Sequence, residues 1–372
     1  MNFSIKKEII LENLGYVMKA ISNKNVIPIL NGIKFELNSK GLYLTATDSE
    51  LIIKVFIDKK EISNIKTEGT IIIQSKFLLD IIRKMPGEII NFELIDSLKI
   101  NIFSENSQYN LNCLDPKEFP QIKIEENKNP LIIQSDIIKN IINQTAFAIS
   151  NQELRPLLTG INFKIVGNLM EVTATDSYRL AKKNIILAKP VEEEVNVVIP
   201  GKNIIEFDKI INVNEELEMN IFNNKVIFKY KNIIFQTNLL NGTYPNTSNL
   251  IPNEFDIIIQ INLEKYFSAI DRAALLTQNK DKNIVKMKIK GKSMIINSFA
   301  SEIGKVEEKL NIDTSKDANL EISFSSKYML DALKSFKEEE ILILLNSEIK
   351  PIVIKSVKDE SLIQLILPIK TY

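Results

Sequence analysis

The chain has 372 residues, of which 45% are hydrophobic and 25% charged, and its 47 basic side chains balance 47 acidic ones. Such a composition is typical of a globular protein of two or three domains, and zero net charge argues against binding nucleic acid with the whole surface. The chain has no histidine and one cysteine, Cys113, which excludes histidine-based catalysis, an intramolecular disulfide and a multi-cysteine zinc site.

The predicted elements begin with a helix between Ser4 and Ile21. Its apolar residues recur at helical spacing on one face: Ile5, Ile9, Ile10, Leu14, Val17, Met18 and Ile21. The face expected to be exposed carries Lys6, Lys7, Glu12, Asn13 and Lys19. Strands follow, because Ile33, Phe35 and Leu37 alternate with polar residues, and residues 225–240 have the pattern of a hairpin.

Three phrases recur along the chain, one of them twice and the other two three times each. Pro28–Glu50 and Pro156–Tyr178 align without a gap, 128 residues apart, and ten of the 23 positions are identical, including Thr-Ala-Thr-Asp-Ser. Helical phrases opening with Ser75-Lys76, Gly201-Lys202 and Ser326-Lys327 form one set of three, and phrases from Ser4, Gln134 and Ile261 form another. A period of about a third of the chain predicts a triplicated domain rather than a solenoid.

We therefore predict three domains, 1–127, 128–252 and 253–372, with polar linkers at residues 125–130 and 249–253. We call these segments the first, second and third repeats. Each is expected to have an α+β fold, in which two helices cover one side of antiparallel sheets of about eight strands.

The shared phrase contains Asp48 in the first repeat and Asp176 in the second. An aspartate that follows a strand commonly accepts hydrogen bonds from its own downstream backbone, so we expect turns after strands ending at Thr47 and Thr175. The alternative is a hydrolase in which these carboxylates form a catalytic pair. Their equivalent places in different domains argue against a shared site.

Basic residues recur on the second helix of each repeat. They are Lys76, Arg83 and Lys84, then Lys202 and Lys209, then Lys327, Lys334 and Lys337. Exposed lysines are usually only solvated, but a rotational arrangement of the repeats would bring these faces onto one basic surface. Such a surface would bind phosphates without reading sequence, because no base-reading motif is present.

The segment Tyr178-Arg179-Leu180-Ala181 follows the shared phrase in the second repeat alone; the first has Glu50-Leu51-Ile52-Ile53. The needs of a scaffold explain what the copies share, but not what one copy has gained. Tyrosine and arginine are enriched at binding hot spots, so we interpret this segment as part of a docking site.

Several phrases together resemble the bacterial DNA polymerase III beta subunit family, the sliding clamps, over the whole chain. They are RPLLTGINF, TATDSYRLA, IPGKNIIEF, GTYPNTSNLIP and the terminal LILPIK. The resemblance implies a non-catalytic processivity factor without cofactors, in which three domains form half of a six-domain ring. Two chains would close head to tail around duplex DNA in the cytoplasm, associated with the nucleoid.

The resemblance also implies three sets of site residues. DNA would be contacted by Lys24, Lys76, Arg83, Gln152, Lys202 and Lys209. The homodimer would form through Tyr109, Leu111, Leu114, Leu275 and Leu276.

The third set is a pocket between the second and third domains. It would take short peptides from the polymerase III alpha subunit, the clamp loader, other polymerases and repair proteins. Its residues would be Arg155, Leu158, Thr175, Tyr178, Arg179, Leu180, Pro245, Leu250, Tyr328, Ile349, Pro351, Leu365, Leu367, Pro368 and Ile369. Lys24 and Lys370 stand where the family often has arginine, and the role of Thr371 and Tyr372 is left open. A protein–protein scaffold that never meets DNA is the remaining alternative.

Overall fold

The computed structural model describes residues 1–22, 26–126, 129–277, 283–315 and 318–370. Lys24, Thr371 and Tyr372 therefore lie outside the described residues. Within those ranges no helix is long and apolar enough to cross a membrane.

Six α-helices lie in the described part of the chain, two in each repeat. They are α1 (Lys7–Val17), α2 (Ser75–Lys84), α3 (Ser135–Thr145), α4 (Gly201–Asp208), α5 (Leu263–Ala274) and α6 (Ser326–Leu333). The predicted helical phrases are thus confirmed, although α1 begins three residues later than Ser4. Residues 2–6 form a strand instead, because they pair with two neighbouring strands and bury Ile5 between them.

The strands of each repeat fall into two antiparallel groups. In the first repeat they are β1 (Asn2–Lys6), β2 (Gly32–Asn38), β3 (Gly41–Thr47), β4 (Leu51–Asp58), β5 (Ile62–Thr67), β6 (Gly69–Gln74), β7 (Ile89–Asp96), β8 (Lys99–Ser104) and β9 (Ser107–Leu114). In the second they are β10 (Leu131–Gln134), β11 (Gly160–Val166), β12 (Leu169–Thr175), β13 (Arg179–Ile186), β14 (Val195–Pro200), β15 (Glu216–Ile221), β16 (Lys225–Tyr230) and β17 (Ile233–Asn238).

The strands of the third repeat follow the same order. They are β18 (Ile257–Asn262), β19 (Ile284–Lys290), β20 (Ser293–Ala300), β21 (Gly304–Asn311), β22 (Asp313–Thr314), β23 (Asn319–Ser325), β24 (Glu340–Leu345), β25 (Ile352–Ser356) and β26 (Leu362–Ile366). In each repeat one group, which we call the hairpin group, contains three successive strands joined by hairpins: β2 to β4, β11 to β13 or β19 to β21. The other group is a meander that ends in the last strand of the repeat: β9, β17 or β26.

The chain divides into two compact units. The first comprises residues 1–136 and 206–239, and the second comprises 137–205 and 240–372. Each unit joins parts of two repeats, because strands of neighbouring repeats pair with one another. The repeat boundaries at 127 and 252 remain a sequence prediction.

In the part of the chain that the structure describes, two strand pairings join neighbouring repeats. In the first unit β4 pairs antiparallel with β17, with Ile53 opposite Phe235, and we call this pairing the first seam. In the second unit β13 pairs antiparallel with β26, with Leu180 opposite Leu365, and we call it the second seam. Each seam therefore uses the third strand of one hairpin group and the last strand of the next repeat.

Hydrophobic cores lie between the helices and the sheets. In the first unit, Phe207 stacks on Phe228 with ring centroids 4.5 Å apart and packs against Phe235 in a tilted arrangement at 4.8 Å. One predicted exposed residue, Asn13, is buried. Its amide donates to the carbonyl of Ile9 at 2.8 Å and its Oδ1 accepts from Nδ2 of Asn232 at 3.1 Å, so burial leaves its polar atoms paired.

Candidate functional site

The Thr-Ala-Thr-Asp-Ser phrase forms the same turn in both units. In the second unit Oδ1 of Asp176 accepts from the backbone N–H groups of Tyr178 and Arg179, at 2.9 and 3.0 Å. Ser177 has a positive φ of 78° there, and its N–H donates to Oγ1 of Thr175 at 3.1 Å. These bonds confirm the prediction that Asp176 forms a turn after a strand ending at Thr175.

Asp48 has the same role in the first unit. Its Oδ1 accepts from the N–H groups of Glu50 and Leu51, at 3.1 and 2.8 Å, and Ser49 has a φ of 81°. Both carboxylates thus act as acceptors for their own turns, which is the structural role expected from the sequence and not that of a hydrolytic acid–base pair.

The second seam places Tyr178 beside Leu367. The N–H of Leu367 donates to the carbonyl of Tyr178 at 2.9 Å, directly beyond the pairing of Arg179 with Ile366. Both side chains remain open to solvent, with 63% of Tyr178 and 37% of Leu367 exposed. An aromatic and an aliphatic residue therefore lie opposite each other where the seam ends, and we call this end of the seam its rim.

Leu180 and Leu365 lie beneath this rim. They are only 2% and 3% exposed and pack with Leu344 and Val353, while Ile251 and Phe255 cover the cluster. Leu158, another predicted pocket residue, is buried to a similar degree at 4%, so all three leucines are core rather than surface groups.

The remaining second-repeat residues of the predicted pocket surround the turn. Leu158 packs with Val198 and Tyr244. The hydroxyl of Tyr244 accepts from the N–H of Thr175 at 3.1 Å, and burial raises the pKa of this tyrosine. Arg155, which is exposed, donates from Nη1 to Oγ of Ser177 at 3.1 Å. Tyr244 was not among the predicted site residues, although it lies in the GTYPNTSNLIP phrase.

Arg179 has unexpected surroundings. It is 8% exposed, and its guanidinium donates to Oδ2 of Asp176 at 3.0 Å and to Oδ2 of Asp331 at 2.7 Å. The same group lies over the rings of Tyr328 and Phe147, 4.5 and 5.4 Å from their centroids. Burial also raises the pKa of Tyr328.

The other predicted pocket residues are spread around the second unit. Leu250 and Ile349 are largely exposed, Pro245 is exposed, and Pro351, Pro368 and Ile369 are half-buried. The N–H of Ile369 donates to the carbonyl of Ser323 at 2.7 Å, which fixes the segment after β26. The structure thus brings together Tyr178, Arg179, Leu180, Tyr328, Leu365 and Leu367.

The described residues of the predicted DNA surface are all exposed. They are Lys76, Arg83, Gln152, Lys202 and Lys209. Arg83 pairs with Asp80 at 2.7 Å and Lys209 with Glu206 at 2.6 Å, in both cases one helical turn away. Exposed pairs of this kind contribute little to stability, so these cations can exchange partners readily.

The predicted dimer residues lie on two elements. Tyr109, Leu111 and Leu114 belong to β9, which pairs with β8 along its length but with β6 only at Cys113 and Leu114. Leu114 also packs against the cluster of Ile29, Leu30, Ile72 and Phe119. Leu275 is 61% exposed and Leu276 half-buried, in the 3₁₀ turn after α5. Within the described ranges, residues 107–112 have no strand partner on their second edge.

Comparison with known proteins gives one family over the whole chain. The models for the N-terminal, central and C-terminal domains of the DNA polymerase III beta subunit match residues 1–123, 132–246 and 248–370. Curated relatives named beta sliding clamp are 40% identical in Bacillus subtilis and 38% identical in Staphylococcus aureus, each over 100% of both chains.

Solved structures agree with this result. The DNA polymerase sliding clamp of Bacillus subtilis superposes with a TM-score of 0.96 at 39% identity, covering 100% of both chains. The beta chain of DNA polymerase III from Streptococcus pneumoniae gives 0.95 at 33% identity, again over 100% of both. The chain therefore belongs to the DNA polymerase III beta subunit family and is a DNA sliding clamp, a non-catalytic processivity factor.

Proposed function

We propose that this sliding clamp acts as a head-to-tail homodimer that closes around duplex DNA in the cytoplasm, at the nucleoid. It tethers the replicative polymerase by docking a short peptide at the rim of the second seam. The observation that carries this proposal is that Tyr178 and Leu367 are exposed and lie opposite each other, two residues beyond a pair of buried leucines. The clamp loader, other polymerases and repair proteins would use the same rim.

The internal repeat supports the dimer. The third strand of the first hairpin group, β4, pairs with the last strand of the second repeat, and β13 pairs with the last strand of the third. The corresponding strand of the third repeat is β21, which lies at the edge of its four-stranded sheet. The corresponding last strand of the first repeat is β9, whose second edge finds no strand partner over residues 107–112 among the residues that the structure describes. A third seam, between β21 of one protomer and β9 of another, would satisfy both edges.

The repeat also supplies a register for this third seam. Ser107 begins β9 as Ile233 begins β17, so Tyr109 corresponds to Phe235. The hairpin pairing of β20 with β21 places Val306 at the position of Ile53. Because Phe235 is opposite Ile53 in the first seam, Tyr109 should be opposite Val306 of the partner protomer. Leu275, at the position of Phe147, would then lie at the same joint.

For DNA, the proposal rests on charge without base recognition. Lys24, Lys76, Arg83, Gln152, Lys202 and Lys209 would touch phosphates directly or through water, which permits sliding because phosphate contacts carry no sequence information. Closure of the ring, rather than affinity, would retain the clamp on DNA.

A covalent ring tests these statements together. In a Tyr109→Cys, Val306→Cys variant the new cysteines should form a disulfide between protomers, since residues directly opposite in antiparallel strands have suitably close Cα atoms. The variant is loaded onto a nicked circular plasmid by its clamp loader and then oxidised. We expect a complex that survives SDS and is released when the plasmid is linearised.

The control pairs Tyr109→Cys with Glu307→Cys, which shifts the register by one residue and points the second thiol to the other face. Efficient cross-linking of the control but not of the test pair would refute the register. A complex that survives linearisation would refute topological retention.

A further inference from the structure

Arg179 links the docking turn to the third repeat. Its guanidinium joins two carboxylates, Asp176 of the turn and Asp331 of α6. Asp176 in turn accepts from the N–H of Tyr178, whose carbonyl accepts from Leu367. A continuous set of hydrogen bonds thus runs from α6 through Arg179 to the backbone of Tyr178.

The first seam shows how the two repeats are bridged when no arginine stands at the position of Arg179. Leu51 stands at the position of Arg179, and Lys19, at the end of the first helical phrase, stands at the position of Phe147. Glu206 of α4 corresponds to Asp331 of α6, because each follows its helix lysine by four residues. Besides its pair with Lys209 at 2.6 Å, Glu206 pairs across the seam with Lys19 at 3.9 Å. The cation of this bridge therefore comes from the helix end, and the apolar residue comes from the strand. In the second seam these two roles are exchanged.

This exchange changes which segment of the chain the ion pair fixes. In the first seam the cation lies on a segment remote in sequence from the Ser49-Glu50 turn. In the second it belongs to the residue directly after Tyr178. An ion pair at this place can therefore fix the turn as well as the two repeats.

We propose that Arg179 is a positioning residue for the docking site, which acts through Asp331 and Asp176 to hold Tyr178 in place and does not itself bind the peptide. The inference rests on the proposed docking at the second seam. It is consistent with the burial of Arg179, which is 8% exposed and whose guanidinium lies over the rings of Tyr328 and Phe147.

The chain offers a matched control. Lys183, four residues along the same strand, donates from Nζ to Oδ2 of Asp359 at 2.6 Å. This pair also joins β13 to the third repeat, and it is buried to a similar degree as the pair of Arg179 with Asp331. It lies away from the turn, however, so it should stabilise the seam without positioning Tyr178.

The test compares Asp331→Asn with Asp359→Asn in the full-length protein. The probe is a fluorescein-labelled ten-residue peptide carrying leucine and phenylalanine near its C-terminus, followed by fluorescence anisotropy. We expect Asp331→Asn to weaken binding about tenfold and Asp359→Asn to change it less than about twofold. Equal effects of the two variants, or none from Asp331→Asn, would overturn the proposal.

A reporter separates positioning from docking itself. The chain has no tryptophan, so Tyr178→Trp places a single tryptophan in the turn. Its anisotropy without peptide should fall when Asp331→Asn is added and not when Asp359→Asn is added. This readout tests the positioning role even if the wild-type protein fails to bind the peptide, an outcome that would contradict the proposed docking alone.

A transplanted ion pair completes the test. Phe147→Lys with Arg179→Leu recreates the arrangement of the first seam and restores a cation near Asp331. We expect it to recover the melting temperature lost in Arg179→Leu while peptide binding remains weak. Recovery of both would show that Arg179 only stabilises the seam, and would refute the proposal.

Discussion

The first and second seams have the same backbone turn and strand pairing, but the side chains at their rims differ. Both follow an aspartate turn with a positive φ at its serine, and both continue the strand pairing with one further hydrogen bond: Asn238 N–H to Glu50 in one, Leu367 N–H to Tyr178 in the other. At the first rim, Nδ2 of Asn238 also donates to the carboxylate of Glu50 at 3.2 Å. At the second rim, the equivalent side chains are aromatic and aliphatic and face solvent.

This difference separates the features that both seams have, the turn and the strand pairing, from the rim side chains, which differ. The turn and the strand pairing are present wherever the repeat is, and so they specify the fold. A docking site needs only a change of rim side chains, because the duplicated backbone already places them next to each other. Exposed apolar groups at one rim and a polar pair at the other would limit the proposed docking to the second seam.

The largest expected effect tests whether the leucines under the second rim are core or contact groups. Leu180→Ala should lower the free energy of unfolding by about 3 kcal/mol, since it removes a fully buried side chain. Urea denaturation of this variant and of Leu367→Ala provides the measurement. Leu367 is partly exposed, so its change should cost less than about 1 kcal/mol. Similar losses for the two variants would contradict the assignment of Leu180 to the core.

An intermediate effect compares the ion pairs of the two seams. Arg179→Leu should destabilise the protein by about 2 kcal/mol, because it leaves a partly buried Asp331 without its cation. Lys19→Leu should cost less than about 1 kcal/mol, since its pair is longer and more exposed. Thermal unfolding of both variants measures the two losses of stability. A larger loss of stability for Lys19→Leu would reverse the ranking of the two ion pairs.

The smallest effect on stability comes from exchanging rims. Tyr178→Glu with Leu367→Asn gives the second seam the rim residues of the first, and surface changes of this kind usually alter stability by about 0.5 kcal/mol or less. Binding of the labelled peptide should nevertheless be lost. Retained binding in this variant would place the docking site elsewhere.

Much of the fold was predictable from the sequence because duplication repeats each signal. Helices α1 to α6, the hairpin of residues 225–240 and the turns at Asp48 and Asp176 are confirmed. The strand at residues 2–6 was missed, since Ile5 fits a helical face as well as a strand and only its partners β5 and β7 decide. Asn13 was placed on the exposed face because its partner, Asn232, is more than two hundred residues away.

The candidate site was less accessible to sequence reasoning. The phrase around Tyr178 singled out the turn that we propose as the docking site, but not that Leu180 and Leu365 point into a core while Arg179 contacts α6. Those directions depend on the seam between β13 and β26, which joins residues far apart in the chain. Asp331 could have been found by aligning the second helices, where it matches Glu206.

The ion pairs at the two seams have a mechanical consequence for the proposed ring. Lys19 and Glu206, and then Arg179 and Asp331, bridge the two seams within a chain. At the corresponding positions of the third repeat stand Leu275 and Gly304, neither of them a cation. A joint between protomers built from these residues would lack the ionic bridge that the other joints have. In the proposed ring, bending would then concentrate at the joints between protomers, and the ring could open there while each folded chain stays intact.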